Sequence, residues 1–339
     1  MDGTAGQLSF GILAGLVIVA LAFDFMNGFH DAANGISTVV STRVLKPYQA
    51  VVIAALANFV AVFIFHLSVA ATVGKGIIDQ GIVDHHVVLG ALTGAIAWNI
   101  ITWYYGIPSS SSHALIGGLV GAGVAKAGIW SLLPAGILKT VAFIFISPLL
   151  GFAIGSVLFL IISWLFVRST PSRVDRIFRR LQLVSSSLYS LGHGGNDAQK
   201  TIGIIWMLLI AAGYTGEADP VPVWVVVACY ITIGLGTMFG GWRIVKTMGQ
   251  RITKIRPASG FCAELSGSIT LFLATSLGIP VSTTHTITGS IIGVGATQSV
   301  SAVRWGLAGN IVWAWILTIP CSAFMAGLAW WVAHATLSR

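Results

Sequence analysis

The chain has 339 residues, 56% of them hydrophobic and only 8% charged, with a mean hydropathy of +0.90 and a formal net charge of +8. A globular domain carries about 25% charged residues, so a deficit along the whole length excludes a soluble protein. A membrane β-barrel is excluded too, because the apolar stretches are long and continuous and lack the roughly ten-residue alternation of barrel strands.

Stretches long enough to cross a bilayer, about 20 residues each, run over 8–26, 47–73, 87–105, 134–167, 188–213, 221–241, 258–277 and 303–334. Two of them are long enough to tilt strongly or to hide a turn, and shorter, broken apolar pieces follow residues 106–113 and 278–285. The pattern predicts an all-α, polytopic membrane protein of 10–12 transmembrane segments. The first stretch has no basic region ahead of it, and Asp24, Asn27 and Asp31 stand where a cleavage site would need small residues, so it reads as a retained helix. Cys229, Cys262 and Cys321 are scattered singly, without metal-ligand spacing or pairing logic. Ten of the 18 basic residues gather in two short loops, Arg168 to Arg180 and Arg243 to Arg256. Two apolar spans separate these loops, which puts both on the cytoplasmic side under the positive-inside rule, with Glu217 and Asp219 in the outward turn between them. Charge distributed in this way speaks for topology and against a nucleic-acid partner. Compact loops and the lack of a targeting segment suggest a bacterial inner membrane.

GIPSSSSHALIGGLVGAG from Gly106 and GIPVSTTHTITGSIIGVG from Gly278 stand 172 residues apart and agree at 8 of 18 positions, well beyond chance. A second pair precedes them, NGFHDAANG from Asn27 and GHGGNDAQK from Gly192, matched at Asp31-Ala32 and Asp197-Ala198. Residues 1–167 and 185–339 therefore read as two repeated halves of a transmembrane domain, joined by a basic cytoplasmic linker, 168–184. Duplicated polar segments interrupted by Gly and Pro point to a transporter site at the repeat interface, built from broken helices.

Pro108 suits a first helical turn, where its missing N–H is no loss, and Gly106 lets the chain break before it. Ser109 to Ser112 then open a half-helix presenting free backbone N–H groups and hydroxyls, a ready anion site. Gly117, Gly121 and Gly123 allow close helix approach. Pro280, Ser282, Thr283, Thr284 and His285 repeat the arrangement, so two such termini facing each other can wrap a tetrahedral oxyanion. A single copy would be read as hydroxyls bonding back to helix carbonyls; two copies with identical Pro-to-His spacing favour the anion site. His113 and His285 stand between proton handling and plain packing.

Asn27, Asp31 and Asn34 fall on one helical face, and His193, Asp197 and Lys200 repeat that spacing. Asp24 continues the first stripe backward and Asn196 flanks the second. A carboxylate inside a membrane is expensive and marks function by default. Glu264, in GFCAELSG, is a further candidate for ion binding; Lys200 is either a substrate contact or the counter-ion of Asp197. Aspartates beside an anion site repel the anion. A proton on them, or Na⁺ between carboxylate and oxyanion, removes the repulsion, so anion binding comes to require the cation, which is the thermodynamic core of symport. Protonated phosphate can also donate a hydrogen bond to a carboxylate, whereas sulfate at neutral pH cannot, which favours phosphate.

The motifs NGFHDAANGISTVV, GIPSSSSHALIGG, GHGGNDAQKTIG and GIPVSTTHTITGS, in this order over both halves, resemble the inorganic phosphate transporter (PiT) family. The resemblance implies an inverted repeat and uptake of inorganic phosphate driven by H⁺ or Na⁺. It implies a site carried onto Asp31, Asn34, Ser110, Ser111, Ser112, Asn196, Asp197, Ser282, Thr283 and Thr284. Glu264 looks like the glutamate of cation-coupled relatives, with Asn58 standing as its counterpart in the first half. The short central loop departs from relatives that carry a long insertion there.

The expectation is a secondary active symporter working by alternating access, not an enzyme, with no cofactor beyond the coupling ion. Cation coupling falls to Asp31, Asn34, Asp197 and Glu264, with a transient Na⁺ near Asp31 and Asp197 and no fixed metal. His113, His285, Lys200 and Asn27 stand behind the site or handle protons. Bacterial members can carry phosphate together with a divalent metal, and the glycine-rich segments are compatible with a homo-oligomer. The alternatives are a transporter of sulfate or another oxyanion and a passive anion channel; aspartates argue against the channel, since anion pores favour basic rings. Ser112 and His113, being adjacent, do not share a helical face as a nucleophile and base would. No GxxxxGK[ST] loop is present, so an ion gradient or the substrate's own supplies the energy.

Overall fold

The structure, a computed structural model, describes residues 10–337, so Leu8 and Ser9 of the first apolar stretch lie outside the described residues. Twelve α-helices are found among the described residues: α1 (Phe10–Ser41), α2 (Pro47–Val60), α3 (Ser68–Lys75), α4 (His85–Tyr105), α5 (Ser111–Ala127), α6 (Pro134–Leu165), α7 (Pro171–Ala211), α8 (Val223–Phe239), α9 (Trp242–Lys246), α10 (Pro257–Ser276), α11 (Thr283–Gln298) and α12 (Trp305–Leu337). Local chemistry sets many of the boundaries. Pro47, Pro134, Pro171 and Pro257 open their helices at the first turn. Asp84 caps α4 by accepting the Val87 N–H at 2.8 Å. Gly106 and Gly278, at φ 67° and 64°, take the left-handed conformation that ends α4 and α10.

Helices α1, α4, α6 and α12 are each long and apolar enough to cross a membrane. The two longest stretches hide no turn; one falls instead in the shorter 47–73, where α2 and its following 3-10 turn meet α3 at 85°. Helix α8 likewise meets α9 and a following π-turn at 61°. By contrast 134–167 and 303–334 are occupied by single helices of 32 and 33 residues. At 1.5 Å per residue each is about 48 Å long, well beyond the roughly 30 Å hydrocarbon layer. The segment 168–184, expected as a linker, supplies the first turns of α7, a helix of 41 residues, because Pro171 starts the helix before the basic run is over.

The longest unbroken buried runs are 192–209 in the middle of α7, 278–291 leading into α11 and 108–119 leading into α5; α1 adds 27–39, broken only at Phe29. Apolar side chains of α6 and α12, such as Phe145, Leu149, Trp164, Trp313, Phe324 and Trp331, face outward, where lipid replaces water. Both basic segments gather at one end: Phe178 packs on Phe166 and on Phe261 of α10, with ring centroids 5.2 and 5.4 Å apart. At the other end Lys75 bonds the Glu217 carbonyl in the acidic turn.

Helices α4 and α5 form a hairpin whose base carries the Lys126–Asp84 ion pair (2.6 Å). Its neighbour there is the far end of α12, the His86 and His334 rings lying 5.6 Å apart. Helices α10 and α11 form a second hairpin, whose base adjoins the start of α12, Arg304 donating its N–H to the Ile252 carbonyl at 3.0 Å. The two hairpins thus approach from opposite ends of α12 and meet tip to tip against α1 and α7. Glycines bring each hairpin against a long helix of the other half. A Cβ on Gly121 of α5 would lie 2.0 Å from the Ala323 carbonyl of α12, and one on Gly293 of α11 would lie 2.3 Å from the Phe152 carbonyl of α6. Gly117 and Gly289 make the same two contacts one turn earlier, against Ile319 and Pro148.

Candidate functional site

Asp31 and Asp197, about two-thirds of the way along α1 and α7, are at most 2% exposed. Ser110 and Ser282 are the N-caps of α5 and α11, their hydroxyls accepting the N–H of His113 (3.2 Å) and His285 (3.1 Å). Each cap oxygen is thereby engaged in holding its half-helix open. The next residues reach the aspartates. Ser111 Oγ lies 2.5 Å from Asp31 Oδ2 and 2.6 Å from Asn27 Oδ1. Thr284 donates to Asp31 Oδ1 (3.3 Å) and Thr283 to Asp197 Oδ2 (3.4 Å). Asn34 Nδ2 donates to both threonines, at 3.1 and 3.0 Å. The tip of α11 therefore links the two carboxylates through hydroxyl and amide groups, and the tip of α5 closes on Asp31 from the other hairpin.

Lys200 is fully engaged: its Nζ donates to Asp197 Oδ1 (2.6 Å), to the Val281 carbonyl (2.8 Å) and to Ser112. This geometry makes it the counter-ion of Asp197 and a bridge between the two tips. Asn196 supports the second tip from behind, donating to Thr275 (2.9 Å) and to the Ile279 carbonyl (3.1 Å) and accepting the Val281 N–H (3.2 Å). His193 stands 3.4 Å from Asp197 Oδ2 and 3.2 Å from Asn58 Oδ1. Ligating atoms of Asp31, His193 and Asp197 all lie within 4.8 Å of one another.

His113 and His285 pack edge to face at 4.6 Å, and His285 stacks on Trp315 at 3.8 Å. Glu264 lies apart from this group. Its carboxylate accepts from Thr38 and Ser185 and from Gln182 Nε2 (3.1 Å), and Thr42 donates to Gln182 at 2.8 Å. Thr38 follows Asp31 by seven residues, about 10 Å along the helix. Asn58 belongs to α2 and donates to Thr237 of α8 at 2.8 Å, so it and Glu264 sit in helices that hold different places within their halves.

Three groups escaped the sequence reading. His30 lies 2.7 Å from Asp31 Oδ1 and is itself held by Thr102 at 3.1 Å; the signal was its position next to Asp31, off the periodic face. Gln182 reaches Glu264 from the end of the segment that reads as a cytoplasmic linker, 168–184, and Ser185 from the residue just past it.

Two buried carboxylates, one lysine, two helix N-termini and several hydroxyls thus meet at the tips of hairpins entering from opposite ends, chemistry suited to a small oxyanion. Comparison with known proteins gives the family. Residues 27–326 match the model of the Phosphate transporter family. A Rhizobium meliloti (strain 1021) protein named "Probable low-affinity inorganic phosphate transporter" is 63% identical over 333 residues, covering 98% of this chain and 99% of that one. A protein of the same name from Bacillus subtilis (strain 168) is 47% identical over 321 residues, covering 94% and 96%. A solved structure, "The sodium-dependent phosphate transporter", is 26% identical, with a TM-score of 0.87 over 96% of this chain and 100% of that chain. The chain belongs to the phosphate transporter family, and its function is transport of phosphate, not enzymatic catalysis.

Proposed function

We propose that the protein is a cation-coupled symporter that imports inorganic phosphate by alternating access between two inverted halves. One observation carries this reading: both hairpin tips present their hydroxyls to Asp31 and Asp197. Phosphate that takes over those donors comes to lie beside two carboxylates with a single lysine between them. A cation is needed to make that arrangement favourable, and by linkage each ligand then raises the affinity of the other. Ser111, Ser112, Thr283 and Thr284, with the N-termini of α5 and α11, bind the phosphate oxygens, and Lys200 adds one positive charge. The cation, Na⁺ or H⁺, enters among Asp31, His193 and Asp197, where oxygen and nitrogen atoms already converge. The sodium-dependent relative supports such coupling. A protonated phosphate oxygen donating to Asp31 distinguishes phosphate from sulfate. Opposed hairpins meeting at one site supply the two gates, each opened by a different half.

The test is uptake of radiolabelled phosphate into proteoliposomes under an inward Na⁺ gradient, an inward pH gradient, or neither. Uphill accumulation under one of the two gradients is expected. Equal, purely downhill equilibration under all three conditions overturns symport.

A further inference from the structure

Asp24 is a carboxylate that the site described above does not use. It lies on α1 two turns before Asp31 and is fully buried. Its Oδ1 accepts the Thr201 hydroxyl at 2.8 Å, while Oδ2 has no hydrogen-bond partner. Asp31 has His30 beside it and Asp197 has Lys200; among the described residues no ion pair reaches Asp24. One turn further along the same face, the Asn27 amide has a matching defect: its Oδ1 takes Ser111, but its Nδ2 donates to nothing. An orphan acceptor and an orphan donor thus sit one helical turn apart, sealed from water. A lone ionised carboxylate in such surroundings costs far more than a neutral one.

We propose that Asp24 carries a coupling proton, at a site separate from the phosphate pocket. This rests on the symport reading above and adds the identity of one coupling ion and its carrier. The environment suits a proton better than a metal ion. A hard cation gathers about six oxygens, whereas Asp24 has a single hydroxyl partner and stands outside the ligand cluster of Asp31, His193 and Asp197. A proton needs one oxygen, and Oδ2 is free to take it. The charge balance is simple: Oδ2 gains a proton from water on one side and becomes a neutral acid, then returns it to water on the other. Other titratable groups near enough to feel its charge are Asp197 on α7 and Cys229 and Tyr230 on α8. Communication with phosphate runs along two short routes. Asn27 shares Ser111 with Asp31, and Thr201 follows Lys200 directly in α7.

The test uses the full chain in proteoliposomes. Wild type should accumulate phosphate under an inward pH gradient. Asp24→Asn, which mimics the protonated acid, should lose at least tenfold of that accumulation while still exchanging internal for external phosphate at equal pH. Asp24→Glu should restore accumulation with a displaced pH midpoint. Undiminished pH-driven accumulation in Asp24→Asn overturns the assignment. If Asp24→Asn loses exchange as well, the glutamate variant decides: recovery upholds the carboxylate, and no recovery overturns it. Wild type that responds to Na⁺ and not to pH overturns the proton but leaves symport standing; wild type that responds to neither overturns symport itself.

Discussion

Two lysine–aspartate pairs in this protein have the same N–O distance, 2.6 Å, and opposite settings. In Lys200–Asp197 the side chains are 1% and 0% exposed; in Lys126–Asp84, at the base of the first hairpin, they are 28% and 32% exposed. The outer pair is partly open to solvent and holds α4 to the end of α5, a modest contact. The inner pair is a commitment: desolvation of both charges cancels much of their attraction, but either partner alone would be an uncompensated charge in the membrane interior. Position, more than geometry, decides what an ion pair does here. One pair ties a hairpin together, and the other locks two buried charges between the hairpin tips.

The largest effect should come from breaking the inner pair on one side. Asp197→Asn strands Lys200 and should lower stability by about 3–5 kcal/mol, read as a fall in melting temperature of the detergent-solubilised protein, with loss of uptake. Adding Lys200→Met should recover most of that stability without recovering transport; if the double variant is no more stable than the single one, the pair is not coupled as described. Asp31→Asn sharpens the contrast, since the partners left behind are a histidine and hydroxyls. It should fold nearly normally yet lose about 100-fold in coupled uptake, about 2.7 kcal/mol. The smallest effect is expected at the outer pair. Burial works to raise the Asp84 pKa, but hydrogen bonds from Lys126 and the Val87 N–H, with the lysine's charge, bring it below the ordinary carboxylate value. A lowered folded-state pKa contributes stability above about pH 4, lost as pH falls through the folded value. Asp84→Asn should therefore cost under about 1 kcal/mol at pH 7 and less still in acid, measured by thermal unfolding across pH.

Much of this was legible in the sequence because short-range rules carry it. The Gly-Ile-Pro breaks and the i, i+4 aspartate faces are local and fall where expected, except that Pro108 and Pro280 stand two residues before the N-caps Ser110 and Ser282, ahead of the half-helices and not in their first turns. What escaped depends on distant packing. That His30 turns toward Asp31 requires Thr102, 72 residues away. That Gln182 serves Glu264 requires α7 to continue through a basic segment which composition alone marks as a loop. The engagement of Lys200 by both tips likewise appears only once two hairpins 172 residues apart are brought together.

The glycine seams have a consequence for how the chain is made. Helix α5 rests on α12, whose contact residues lie about 200 positions later, whereas α11 rests on α6, which precedes it. At synthesis rates of roughly 5–20 residues per second, the first hairpin waits some 10–40 s for its partner, its serines and histidine inserted but unclasped. The second docks as it emerges. Biogenesis is thus asymmetric even where the finished halves match, with the early hairpin left the longer without its partner helix.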